Sequence, residues 1–115
     1  MKRGDVFFAN LDPRSGSEQS GKRPVVIVSN DEFNRTLNWY SIIVVPLSTS
    51  LNQARRFSTA VPLFAGEGDL SLDSVALCHQ VTTLDKSKLL GRIGSLTEEQ
   101  ISEIEFGLRA AMQML

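Results

Sequence analysis

The run Pro24–Ser29, PVVIVS, constrains the fold of this chain more than any other stretch. It is continuously apolar, of strand length and carries three valines, which marks a strand buried on both faces. Shorter strand-like segments surround it. Val6–Leu11 reads as a strand, followed by a loop rich in Gly and Ser over Pro13–Gly21. Tyr40–Leu47 is another strand, and Pro46 near its end points to an edge or a bulge. Ser58–Phe64 and Asp73–Cys78 flank the turn-rich Gly66-Glu67-Gly68-Asp69, and Thr82–Arg92 reads as a short strand or extended arm. Asp31 is placed to cap a short helix running to about Asn38, and Ser48–Phe57 is a polar, basic loop or hairpin tip.

Thr97 opens a longer helix, with Gln100 three residues on as its capping-box partner. Ile101, Ile104, Leu108, Ala111, Met112 and Leu115 form its apolar face. Phe106 and Met114 fall off that face, either as extra core contacts or as a second apolar stripe against another subunit. Many short strands and one closing helix predict a mainly β (α+β), barrel-like fold. The 115 residues hold no linker or repeat and are expected to form a single domain, residues 1–115.

Composition narrows the chemistry. The longest apolar run, Ile42–Leu47, is far too short for a membrane span, so no membrane partner is expected. The start Met1-Lys2-Arg3-Gly4-Asp5 has no apolar signal region, and the lone Cys78 fits a reducing compartment; a cytoplasmic location is the expectation. Net charge is −1, which argues against a wide basic field. Residues 97–115 hold four glutamates against one arginine, which leaves eleven basic and nine acidic side chains in residues 1–96. That balance suits a protein gripping a few phosphates of a short single strand.

One polar loop carries the functional signal. Gly16–Asn30, GSEQSGKRPVVIVSN, holds Glu18, Lys22 and Arg23 and runs directly into the buried strand. Arg23 is the last loop residue, and Pro24 biases it toward an extended conformation at the strand entrance. Arg3-Gly4-Asp5, Leu11-Asp12-Pro13, Phe33-Asn34-Arg35 and Val45-Pro46-Leu47 stand in order around it. Cys78-His79-Gln80-Val81-Thr82-Thr83-Leu84-Asp85 looks like a CxQxRTxD-type segment. Together, over roughly residues 2–115, these resemble the MazF/PemK (Kid) toxins, small endoribonucleases of bacterial toxin–antitoxin pairs. The resemblance implies an SH3-like β-barrel of the CcdB/Kid/MazF type with a C-terminal α-helix, paired as a homodimer. It also implies cleavage of single-stranded RNA at a specific sequence and silencing by a MazE-like antitoxin whose disordered acidic segment covers the RNA groove.

The residues permit that chemistry by exclusion of others. One histidine forbids a two-imidazole acid–base pair within a subunit, and one cysteine with one histidine offers no zinc site. Asp69 and Asp73 are the closest interesting acidic pair, and a turn explains Asp69; no two-metal centre and no other cofactor is expected. No Gly-rich phosphate loop with Lys and Ser or Thr follows a strand. What remains is metal-free cleavage through the RNA's own 2′-hydroxyl, leaving, by the resemblance, a 2′,3′-cyclic phosphate.

By the resemblance, Arg23 takes the acid–base and phosphate role. A guanidinium holds its proton firmly, so phosphorane stabilisation is its larger contribution. The family's second catalytic position is a threonine in a PxT pattern; Pro46-Leu47-Ser48 puts Ser48 there, with Thr49 beside it as the alternative hydroxyl. Glu18 matches the family's GxEQ loop and could orient Arg23 or take a proton; a solvated carboxylate is its alternative. Gln19, Lys22, Asn30, Arg35, Thr49, His79 and Gln80 complete the candidate RNA-binding set, with Arg55, Arg56, Lys86, Trp39 and Phe57 as further contacts. His79 is the one histidine of the sequence, yet a lone strand-end histidine is more often structural. Two other classes stay open on sequence alone: a CcdB-like gyrase poison that needs no hydrolytic residues, and an SH3-like binding module.

Overall fold

The structure, a computed structural model, describes residues 1–50, 52 and 58–114. Most of the basic loop expected over Ser48–Phe57, including Arg55, Arg56 and Phe57, and the helix position Leu115 lie outside the described residues. Seven strands appear: β1 (Asp5–Asn10), β2 (Lys22–Ile27), β3 (Ser41–Ser48), β4 (Ala60–Leu63), β5 (Ser74–Leu77), β6 (Thr82–Asp85) and β7 (Leu89–Ser95). Among the described residues two α-helices, α1 (Asp31–Arg35) and α2 (Glu98–Met112), accompany the strands. All pairings are antiparallel, in the order β4-β5-β3-β2-β1-β7, with β6 also on β3. The mainly β class with a closing helix is therefore as expected. The sheet curls without closing: no β4–β7 ladder forms among the described residues. A 3₁₀ turn at Glu67–Asp69 instead lies against β7, where a Cβ on Gly94 would run into the Gly68 carbonyl oxygen.

The long apolar run becomes the middle of the sheet. Val25, Val26 and Ile27 are all buried, and alternate residues enter two different cores. Val26 joins Val6, Val45, Leu47, Leu63 and Ile104 under α2, whereas Val25 and Ile27 join Ala9, Leu11, Ile42, Val44 and Leu84 on the other face. The strand begins earlier than the sequence suggests. Lys22 and Arg23 already pair with Asn10 and Ala9, so Arg23 is a strand residue rather than the last residue of a loop.

Pro46 sits on a central strand, not an edge. Ser41–Val44 pair with β6 and Leu47–Ser48 with β5, so Val45 and Pro46 occupy the gap where β3 changes partner on that side. A residue without an N–H is tolerated where no ladder bond is called for. The expected Thr82–Arg92 arm is in fact two strands, split by a 3₁₀ turn at Lys86–Lys88 that Asp85 caps through the Ser87 N–H at 2.8 Å.

α1 is shorter than expected and is capped by a different residue. Asn30 Oδ1 accepts from the Glu32 N–H at 2.8 Å. The Asp31 carboxylate is taken by the Arg3 N–H (2.7 Å) and by Asn34 Nδ2 (3.1 Å). Lys86 Nζ closes the other end on the Phe33 and Thr36 carbonyls, which explains a cation that sequence alone offered to RNA. Trp39 stacks on Phe33 with ring centroids 4.6 Å apart and remains 45% exposed.

α2 begins as the sequence dictates, with both bonds of the Thr97–Gln100 capping box formed. Ile104 is its most buried side chain, at 1% exposure. Gly107 lets the helix approach Cys78: a Cβ there would stand 2.6 Å from Cys78 Sγ. Burial pushes the Cys78 thiol up to about 12, which leaves it an inert core group. Met112, expected on the packed face, is half exposed, and Phe106 and Met114 are 71% and 58% exposed.

Asp5 joins β1 to the neighbouring strand β7. Burial alone would raise its carboxyl, but bonds from Ser95 Oγ (2.5 Å) and the Lys2 N–H (3.0 Å), with the Arg92 guanidinium nearby, hold it below its ordinary value. A depressed folded-state pKa stabilises the fold fully above the unfolded value and is lost as pH falls through the folded one. Stability should therefore fall below about pH 4, and Asp5→Asn should flatten that fall. Urea titrations between pH 3 and 7 check this; an unchanged acid limb in the variant contradicts it.

Candidate active site

The loop after β1 is pinched at its base before it reaches the site. The Leu11 N–H donates to the Gly21 carbonyl at 2.9 Å, and the Gly21 N–H donates to Asp12 Oδ1 at 3.0 Å. Gly21 has φ 78°, a left-handed conformation that suits glycine. Inside the pinch, Ser15–Glu18 forms a turn, with Ser15 Oγ donating to Glu18 Oε1 at 3.1 Å.

Arg23 lies across the mouth of this loop. Its Nη1 donates to Gln19 Oε1 at 2.6 Å and to the Leu47 carbonyl at 3.2 Å, and its Nε donates to the Ser20 carbonyl at 2.9 Å. The Leu47 contact joins the loop to the end of β3, because Ser48 is the next residue. Ser48 is buried and its Oγ accepts the Ser50 N–H at 3.1 Å, while Thr49 is exposed. The structure thus brings Arg23 to the Leu47–Ser48 step, from opposite ends of β2 and β3.

Glu18 does not orient Arg23. Its carboxylate instead faces Ser15 and Arg14 Nη1 (3.4 Å), and the Ser15 hydroxyl followed by Arg14 holds its pKa below the usual carboxylate range. Gln19, one residue on, occupies the place expected for Glu18. A neutral amide oxygen accepts from the guanidinium without cancelling its charge, which keeps the cation available to an anion.

Arg14 is the site residue that sequence reading missed. Its Nε donates to the Leu11 carbonyl at 2.7 Å and its Nη1 to Thr82 Oγ1 at 3.2 Å. Thr82 stands where the CxQxRTxD pattern has an arginine, so a cation from the loop reaches the position that lacks one. That departure at Thr82 was the signal that could have found it. Arg14, Glu18, Gln19, His79, Gln80 and Thr82 line a polar cavity of about 160 Å³, which Gln19 connects to Arg23. His79 and Gln80 enter it from a 3₁₀ turn at Cys78–Gln80.

Other candidates stand apart from this cluster. Asn30 caps α1, and Arg35 is exposed on the same helix. Lys22 is exposed at the start of β2. Among the described residues no three of His, Cys, Asp or Glu converge as metal ligands. No helix among them is long and apolar enough to cross a membrane.

A family model, that of the PemK-like, MazF-like toxin of type II toxin–antitoxin systems, matches residues 2–112. The chain belongs to this family. Within it, the chain is 35% identical to the endoribonuclease EndoA of Bacillus subtilis, covering 100% of this chain and 97% of that protein. It is 40% identical over 106 residues to the endoribonuclease MazF of Staphylococcus saprophyticus, covering 90% and 84% of the two. A mycobacterial endoribonuclease solved in complex with its cognate antitoxin superposes with a TM-score of 0.77 at 25% identity, covering 98% and 95%. The MazF/PemK-like fold accounts for most motif residues as scaffold: Arg3 ties α1 to Glu105 of α2 at 2.7 Å, and Asn34 is buried against Ser29.

Proposed function

We propose that this MazF/PemK-like chain is the toxin of a type II toxin–antitoxin pair and cleaves single-stranded RNA, at a specific sequence, by transesterification. The observation that carries this is the Arg23 guanidinium, fixed by Gln19, Ser20 and Leu47 next to Ser48, with Gln19 itself lining a polar cavity. In the reaction the 2′-oxygen attacks phosphorus as its proton passes to water. The bond from phosphorus to the 5′-oxygen then breaks and that oxygen takes up a proton. The products are a 2′,3′-cyclic phosphate and a 5′-hydroxyl, and no metal enters the balance.

Arg23 turns to the phosphorane oxygens, where negative charge grows, the two N–H donors of Nη2 that its bonds to Gln19, Ser20 and Leu47 do not use. Ser48, or Thr49 beside it, adds a neutral hydroxyl donor. Glu18 stays ionised and screened by Arg14, so it repels incoming phosphates less than a bare carboxylate would. Lys22, Asn30, Arg35, His79 and Thr49 are offered to the flanking nucleotides.

The active form is a homodimer in the cytoplasm, made by the single domain 1–115, with the exposed stripe of Phe106, Ala110 and Met114 facing the second copy. The antitoxin's disordered acidic segment competes with RNA for the groove at Arg23. The test is incubation of the purified chain with a long mixed-sequence RNA in EDTA, followed by end mapping. Cleavage at one short sequence with cyclic-phosphate ends is expected. Intact RNA, or cleavage only with added divalent metal, contradicts the mechanism. Light scattering on the same preparation should give twice the 12.7 kDa of one chain.

A further inference from the structure

We propose that Gln80 is a positioning residue for Arg23, acting through Gln19 and not by reading an RNA base. The inference rests on the role given to Arg23 above. Gln80 Oε1 accepts the Gln19 N–H at 3.4 Å, and Gln80 Nε2 donates to the Ser17 carbonyl at 3.2 Å. The partners are a backbone donor and a backbone acceptor, so the orientation of the amide is fixed by chemistry. One side chain thereby brackets Glu18, anchoring the loop residue before it and the residue after it. Gln19 in turn presents Oε1 to Arg23 Nη1 at 2.6 Å.

This path joins parts of the chain far apart in sequence. Gln80 belongs to the 3₁₀ turn Cys78–Gln80, which packs beneath α2 through the buried Cys78, whose Sγ faces the Ile104 carbonyl at 3.7 Å. Arg23 and its loop belong to the β1–β2 hairpin. The loop is held independently at its base by Asp12 and at its first half by Arg14. Only the Ser17–Gln19 segment depends on Gln80 among these clamps. Both Gln80 bonds are long, so each contributes little to stability. Their effect is angular: they set where Gln19 Oε1 points, and hence which guanidinium edge is turned outward. A misplacement of about 1 Å in such a group can cost on the order of 100-fold in rate.

The test compares Gln80→Met, which keeps the length of the side chain and deletes both bonds, with Gln19→Met, the double variant and Arg23→Ala. Kinetics use an RNA oligonucleotide spanning the mapped cleavage site. Gln80→Met should lower kcat about 10-fold with KM and cleavage sequence unchanged. The double variant should be no slower than Gln19→Met, because both changes act on one guanidinium. A readout independent of cleavage is the Arg23 Nε–Hε resonance of the ¹⁵N-labelled protein, which should shift or broaden in Gln80→Met. An unmoved resonance, additive losses, or a raised KM with a relaxed cleavage sequence overturns the inference, the last marking Gln80 as a base reader. If Arg23→Ala still cleaves, the mechanism itself fails. If Arg23→Ala is dead and Gln80→Met cleaves at full rate, only the positioning role fails.

Discussion

Arg23→Ala should abolish RNA cleavage while leaving the fold intact. Preorganised donors aimed at developing charge are each worth about 10²–10³ in rate, and Arg23 brings two such donors plus a full charge. Its present partners, Gln19 Oε1 and the carbonyls of Ser20 and Leu47, lie at the surface end of β2. The buried part of that strand starts only at Val25. Loss of the side chain should therefore cost stability no more than about 1 kcal/mol. Arg23→Lys should recover little, because an ammonium cannot hold Gln19 and Leu47 while offering a planar edge to phosphate. Ser48→Ala should be milder, since the serine hydroxyl already accepts the Ser50 N–H and contributes one neutral donor. Cleavage kinetics with matched thermal melts decide the matter. Full activity of Arg23→Ala in a nuclease-free preparation is the result that sinks the mechanism.

Ile104→Ala carries the largest expected cost to stability. Ile104 is 1% exposed and sits among Val6, Val26, Val45, Leu47, Val61 and Leu63, so its removal leaves a cavity that the sheet cannot close. Large-to-small changes of this kind cost about 2–5 kcal/mol, a substantial part of the 5–15 kcal/mol of a typical domain. Melting should drop by about 10 °C or more. Chemical denaturation checks this, and a shift below about 1 kcal/mol would show that α2 is not held by this side chain. Gly107 sharpens the expectation: the helix lies too close to Cys78 to accept extra bulk as compensation.

Much of this was legible in the residues, for reasons that are local. The Thr97–Gln100 capping box depends on spacing within one turn, so sequence reads it directly. The run through Val25–Ile27 is apolar on both faces because two cores flank it, and an unbroken pattern says so. Partnerships across the fold were not legible. The Glu18 carboxylate belongs to Arg14 and not to Arg23 because the Ser15–Glu18 turn aims it back along the loop. Pro46 pointed to an edge or a bulge, yet a strand that changes partners midway provides the same freedom from a ladder bond in the centre of a sheet. Asn30 and Asp31 are both good caps, and only the long-range bond from Arg3 decides which is free to cap. The Arg23–Leu47 contact was half visible, as an arginine before one proline and a hydroxyl after another. Its geometry needed the β2–β3 register.

The pairing of β1 with β7 has a consequence for how the chain acquires its structure. Asp5 is matched to Ser95, so β1 leaves the ribosome long before the strand that pairs with its outer edge. Until then β1 has only β2 beside it, and Phe7 and Ala9 lack the cover that Leu89 later gives. Pairings across such separations pay their loop-closure entropy before contacts repay it, which slows folding and leaves an open strand edge meanwhile. The arginine hairpin is thus synthesised early and enclosed late.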